Sequence, residues 1–116
     1  MILRSIFFLL YPFFNLLSES EFNLLPAHEL SGIKKKYSEL EKSLTSRVLK
    51  NPTEVSSYSS RGDARLFLGD FLGARMDYEK MIKLSPKLAV SHWRLGIAYF
   101  YLSDFSKAAR QFEIYH

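Results

Sequence analysis

Apolar residues recur every three or four positions between residues 26 and 50, and this spacing predicts one amphipathic helix. Pro26 suits the first turn of that helix, and Asn51 before Pro52 is disfavoured in helical geometry. The apolar positions share one face of such a helix: Leu30, Ile33, Tyr37, Leu40, Leu44 and Val48. An apolar face needs a partner surface, and the residues that follow are the nearest source of one.

One residue pattern occurs twice in the chain, first from Val55 and again from Ala89. When residues 55–82 are placed on residues 89–116, eight of the 28 aligned pairs are identical. Average composition supplies roughly one or two such matches. The identical pairs are Ser57/Ser91, Gly62/Gly96, Ala64/Ala98, Leu68/Leu102, Asp70/Asp104, Phe71/Phe105, Ala74/Ala108 and Glu79/Glu113. The chain therefore contains an internal repeat.

Each copy shows a helical period, a short break and a second helical period. The break falls at Gly69-Asp70 in the first copy and at Ser103-Asp104 in the second. Two helices joined by so short a turn run antiparallel. Each aspartate stands where an N-cap of the following helix belongs. We further expect the helix pairs to approach closely where Gly62 meets Ala74 and where Gly96 meets Ala108, because these residues have little or no side chain.

These residues resemble the tetratricopeptide repeat (TPR) family, whose repeat pattern combines Leu-Gly, spaced aromatics, alanines and a proline. The second copy matches it at Leu95-Gly96, Tyr99, Phe105, Ala108 and Phe112, and the first at Tyr58, Gly62, Phe71, Ala74, Tyr78 and Pro86. The resemblance implies an all-α fold in which antiparallel helix pairs stack as a short superhelix. Residues 55–88 are then the first repeat, residues 89–116 a second repeat that is incomplete at its C-terminal end, and residues 26–50 a degenerate half repeat.

The resemblance also implies a function, because the first helices of such repeats line a concave groove that typically holds peptides. We expect a non-catalytic module that binds a protein or peptide partner there, mainly through the second copy. The partner-binding positions are Val90, Trp93, Arg94, Ile97, Phe100 and Tyr101. The corresponding first-copy positions are Ser56, Ser59, Asp63, Leu66 and Phe67. Burial of these residues between units, or under the residue 26–50 helix or the N-terminal segment, is the alternative interpretation of this patch.

Some family members bind the C-terminal carboxylate of a ligand with Lys, Arg and Asn side chains in the groove. Here only Arg94 is suitably charged, so we do not expect that mode. An alternative function is a structural one, in which the chain is an assembly fragment of a larger membrane-tethered repeat protein. Self-association at an open C-terminal end would fit that alternative.

Two arginines depart from the family pattern in the first copy. Arg61 stands where the family usually has Leu, and Arg65 where it usually has Tyr. Their positions lie on a face that should be partly buried, so we expect pairing with carboxylates such as Glu39, Glu41 or Asp77. We expect replacement by Leu and Tyr to stabilise the fold, and a large loss would show that the pairing matters.

The first twenty residues differ from the rest. One arginine precedes an apolar run from Ile6 to Leu17, and a small polar Ser-Glu-Ser follows. This order is typical of a secretory signal peptide, which would make the protein secreted or periplasmic. An uncleaved membrane anchor and a helix packed on the domain are the alternatives.

Composition excludes several function classes. The net charge of +4 is scattered, apart from Lys34-Lys35-Lys36, and no basic stripe with interleaved aromatics points to nucleic acid. The chain has no cysteine, and its three histidines lie far apart in sequence, so no metal site is predicted. No phosphate loop, nucleophile motif or paired-carboxylate motif is present, so neither an enzyme nor a cofactor is expected.

Overall fold

Five α-helices make up the described part of the computed structural model, which covers residues 27–113 except for the side chains of Val90 and Ser91. The helices are α1 (Ala27–Lys50), α2 (Val55–Phe67), α3 (Phe71–Leu84), α4 (Trp93–Tyr101) and α5 (Phe105–Glu113), with a 3-10 segment at Pro86–Ser91. Each helix packs against the next along the chain, and α2 also touches α4. The predicted all-α class is confirmed. The predictions for residues 1–20 and for residues 114–116 lie outside the described residues.

The turns within the two units share one geometry. Gly69 has φ 79° and Ser103, its equivalent in the second unit, has φ 63°. In the first turn the amides of Gly69 and Asp70 donate to the carbonyls of Leu66 and Arg65, and the second turn repeats both bonds. Asp70 Oδ1 accepts from the Gly73 amide at 2.9 Å, and Asp104 Oδ1 accepts from the Lys107 amide at 3.3 Å. Both predicted N-caps are confirmed.

Both glycines lie at close approaches, but the nearest atoms belong to an aromatic ring and not to the predicted Ala74 or Ala108. A Cβ atom added to Gly62 would lie 2.7 Å from Cε1 of Tyr78, and one added to Gly96 would lie 2.9 Å from Cε1 of Phe112. Tyr78 and Phe112 occupy equivalent positions in the two units, and both are buried. Each glycine therefore makes room for the ring that lies one helical turn beyond Ala74 or Ala108.

A buried ion cluster joins the first three helices. Asp77 is 2% exposed and accepts from Nε and Nη2 of Arg61 at 2.9 and 2.7 Å and from Nη1 of Arg65 at 3.1 Å. Arg65 also donates from Nε and Nη2 to Glu41 of α1, at 3.1 and 3.0 Å. The predicted pairing of both arginines is confirmed for Asp77 and Glu41, whereas Glu39 is exposed.

Two stacked ring pairs join successive units. Tyr37 of α1 stacks on Phe67 of α2 with centroids 4.1 Å apart, and Phe71 of α3 stacks on Tyr101 of α4 at 4.3 Å. Moving the first pair forward by one repeat gives the second pair. The ring stack of the α1–α2 contact thus recurs in the α3–α4 contact.

Candidate functional site

The surface predicted to bind a partner lies on α2 and α4, the first helices of the two units. Trp93 begins α4 and its side chain is 41% exposed, and Phe67 ends α2 and is 54% exposed. The guanidinium carbon of Arg94 lies 5.4 Å from the centre of the Trp93 ring. Large exposed aromatics with apolar faces are the side chains that most often anchor protein contacts.

An ion pair links α2 to α4. Nη1 of Arg94 donates to Oδ2 of Asp63 at 3.1 Å, with the two side chains 43% and 40% exposed. Oη of Tyr78 donates to Oδ1 of Asp63 at 2.7 Å. Burial raises the pKa of the Tyr78 phenol, and this hydrogen bond to Asp63 raises it further. Asp63 is therefore held by α3 and α4 together, and it offsets the positive charge of Arg94.

His92 lies beside this ion pair, at the residue before α4. Its ring centre is 4.8 Å from that of Tyr78, and the side chain is half-buried. Burial lowers the pKa of His92, and the positive charge of Arg94 lowers it further, while Asp63 acts in the opposite direction. The imidazole is thus held neutral at physiological pH.

The structure separates the six predicted binding residues into three groups. Trp93 and Arg94 reach the surface, as described. Phe100 and Tyr101 are half-buried, because Tyr101 stacks on Phe71 and Phe100 meets both Tyr101 and Phe105 edge-on, at 5.8 and 5.5 Å. These two rings join elements of the fold and present only part of their surface.

Of the last two predicted residues, Ile97 is buried and Val90 precedes α4. Ile97 is 1% exposed and packs in the main core cluster with Leu95 and Ala98, so it cannot contact a partner directly. Val90 belongs to the 3-10 segment and not to the first helix of the unit, since α4 begins only at Trp93. The break comes at His92, whose φ of −104° and ψ of 61° are not helical.

Sequence reasoning missed the bond between Asp63 and Arg94. The repeat alignment places Asp63 against Ile97, so the period itself gives no sign of a charge pair there. The sequence did contain one signal for this bond, because Asp63 and Arg94 are opposite charges on consecutive first helices. His92 was also missed, because the family pattern places an ordinary aromatic at its position.

The described residues show neither a metal site nor a membrane span. Within residues 27–113, no three His, Asp or Glu side chains are grouped closely enough to hold a metal ion. None of the five helices combines the length and the apolar character needed to cross a bilayer.

Comparison with known proteins gives a distant relative. Hsp70-Hsp90 organizing protein 3 of Arabidopsis thaliana is 30% identical over 78 residues, which are 67% of this chain and 14% of that protein. The chain thus spans about a seventh of the relative's length. The chain matches no family model and no solved structure.

Proposed function

We propose that this chain is a TPR-like, non-catalytic module that binds a protein or peptide partner along the α2–α4 surface. The exposure of Trp93 and Phe67 on consecutive first helices carries the proposal, because large exposed aromatics on adjoining elements mark interaction sites. The similarity to a protein named for organizing Hsp70 and Hsp90 supports a role in bringing proteins together.

The chemistry of this surface favours an apolar ligand. Trp93 and Phe67 are exposed, and Phe100 and Tyr101 are each partly exposed. The only cation among the predicted binding residues, Arg94, is paired with Asp63. A ligand carboxylate approaching Arg94 would compete with that carboxylate and be repelled by it. The preferred ligand is therefore a peptide with apolar or aromatic side chains and no requirement for a terminal carboxylate.

A random-peptide display library panned on the full chain tests this function. We expect enriched peptides to be rich in aromatic and aliphatic residues, and Trp93→Ala with Phe67→Ala to weaken their binding by at least about tenfold. Met76→Ala is the matched control, since Met76 is 57% exposed on α3, a second helix. Melting curves show that each variant is folded. Enriched peptides that bind the double variant as well as the wild type would refute the proposed surface.

Full-length Hsp70 and Hsp90 are a second set of probes, suggested by the name of the relative. We expect amidation of their C-terminal carboxylate to leave any binding to this chain unchanged, because Asp63 occupies Arg94. If amidation of the ligand abolishes binding, and Arg94→Ala also abolishes it, the surface binds a terminal carboxylate and the proposal is wrong on this point.

We also propose that residues 1–20 direct export, so that the module acts outside the cytoplasm. The support is the sequence order alone: a positive charge, an apolar run and a small polar stretch. Mass spectrometry of the mature N-terminus tests this proposal. A mature chain that begins near residue 21 supports it, and an intact N-terminus found in the membrane fraction would favour the anchor.

A further inference from the structure

The contact between α3 and α4 combines a ring stack with a hydrogen bond to a carboxylate. The rings of Phe71 and Tyr101 stack at 4.3 Å with their planes only 6° apart. Two positions before Tyr101, Oη of Tyr99 donates to Oε1 of Glu79 at 2.8 Å. On the α3 side, this contact is made by a phenylalanine near the start of the helix and a glutamate two turns later.

The contact between α1 and α2 follows the same plan. Tyr37 and Phe67 stack at 4.1 Å with an interplanar angle of 22°. Two positions before Phe67, the guanidinium of Arg65 donates to Glu41. In both contacts, the incoming helix brings a hydrogen-bond donor and then, two positions later, an aromatic ring. The receiving helix supplies a ring in its first half and a carboxylate further along.

Helix α5 repeats the two residues that α3 supplies to its contact with α4. Phe105 and Glu113 are the repeat equivalents of Phe71 and Glu79 and are identical to them. Phe71 is half-buried under Tyr101, but Phe105 is 48% exposed and Glu113 is also exposed. A large exposed aromatic ring beside a carboxylate, in the arrangement that elsewhere binds a helix, marks a docking face.

We propose that this α5 face, formed by Phe105 and Glu113, docks an amphipathic helix of a partner protein. That helix carries an Arg or Tyr donor and, two positions later, an aromatic ring, as Arg65/Phe67 and Tyr99/Tyr101 do within this chain. The argument is continuity with two interfaces that the fold already contains. The α5 face adjoins the α2–α4 surface through the edge-on contact of Phe105 with Phe100, but its argument does not depend on the function proposed for that surface.

The chain itself provides the probe for a binding test. A labelled peptide of residues 89–103 contains α4 with its donor and ring, and a matched peptide with Tyr99→Phe and Tyr101→Ala lacks both. We expect the full chain to bind the first peptide and to lose about tenfold in affinity with Phe105→Ala and about fivefold with Glu113→Ala. Met76→Ala, which alters an exposed side chain on α3, should leave the affinity unchanged.

The results of these binding tests distinguish the α5 face from the α2–α4 surface. A loss of affinity with Trp93→Ala but not with Phe105→Ala would place the peptide on the α2–α4 surface and overturn the inference. No binding of the native peptide, or equal binding of the matched peptide, would overturn it as well. Melting curves of Phe105→Ala exclude loss of fold as the cause, because Phe105 also contacts Phe100 edge-on.

Photo-crosslinking identifies the occupant. The full chain with Phe105→benzoylphenylalanine is irradiated with and without the peptide, and the products are mapped by mass spectrometry. A crosslink to the added peptide, with none in its absence, supports a partner helix. A crosslink between two copies, together with a dimer by light scattering, would assign the face to self-association and overturn the proposal. A crosslink to residues 1–26 of the same chain would overturn it in the same way.

Discussion

Removing the two arginines of the first unit should destabilise the protein, contrary to the expectation from sequence. Arg61→Leu with Arg65→Tyr installs the residues that the second unit has at the same repeat positions, Leu95 and Tyr99. The double variant deletes all three guanidinium donors to Asp77, whose side chain is only 3% exposed. Breaking a buried pair in this way typically costs about 3–5 kcal/mol. Small domains are stable by about 5–15 kcal/mol, so the double variant loses a large share of its stability.

The triple variant that adds Asp77→Gln separates the charge from the packing. Gln111 is the residue of the second unit at this position, so the triple variant has the residues of that unit at all three positions. Replacing a whole buried ion cluster by side chains that fit is often neutral or stabilising. Tyr at position 65 can also donate to Glu41, as Tyr99 donates to Glu79. We expect the triple variant to lie within about 1 kcal/mol of the wild type or above it.

Urea titration of wild type, double and triple variants at pH 7, followed by circular dichroism, measures the differences. Equal slopes of unfolding free energy against urea show that the same surface is exposed in each protein. Double and triple variants of equal stability would refute the reasoning, since the loss would then come from packing and not from the unpaired Asp77. A double variant more stable than wild type would show that the ion cluster is itself a net cost.

Three further predictions concern single sites. Gly62→Ala should lower stability by about 1–2 kcal/mol because the added methyl group overlaps a buried ring. Gly32→Ala should raise stability by roughly 0.5–1 kcal/mol, because nothing lies within 4 Å of the added Cβ atom. Melting curves of the two variants test these opposite signs. Ser103→Gly should stabilise by about 1 kcal/mol because it relieves a left-handed backbone, and Gly69→Ala should destabilise by a similar amount in the same urea assay. Because the folded-state pKa of His92 is lowered, the unfolded chain takes up its proton first, so stability is complete above about pH 6.5 and falls as the pH drops below it. Urea titrations at pH 7.5 and 5.5 should show this loss in wild type and a smaller loss in His92→Gln, and equal losses would contradict the assignment.

Local signals account for what the sequence predicted well. The end of α1 at Lys50, the turns and the aspartate caps depend on residues within a few positions of one another. The repeat period adds the equivalence of the two units, and with it the close approach at Gly62 and Gly96. Carboxylate partners for Arg61 and Arg65 followed because charges on a buried face need them.

Other features of the candidate site depend on how neighbouring helices pack. Ile97 occupies a groove position in the repeat but is buried in the core, and Val90 lies before α4 because the backbone at His92 is not helical. The period gave no reason to pair Asp63 with Arg94, since neither has a charged counterpart in the other unit: their equivalents are Ile97 and Ser60. A charge pair that occurs in one unit and not in the other cannot be found from the repeat period. It becomes visible only when the packed structure places the two side chains together.

The two contacts between units show which parts of the docking chemistry can vary. The ring stack is kept in both, as Tyr37/Phe67 and as Phe71/Tyr101, while the donor changes from a guanidinium in Arg65 to a phenol in Tyr99. A stack of two rings contributes in either case, whereas the donor needs only to reach a carboxylate on the receiving helix. Recognition by the α5 face should therefore depend more on the partner's aromatic ring than on its donor. Among labelled variants of the residue 89–103 peptide, Tyr101→Ala should weaken binding to the full chain more than Tyr99→Phe, and the reverse order would show that the carboxylate of Glu113 provides the greater part of the recognition.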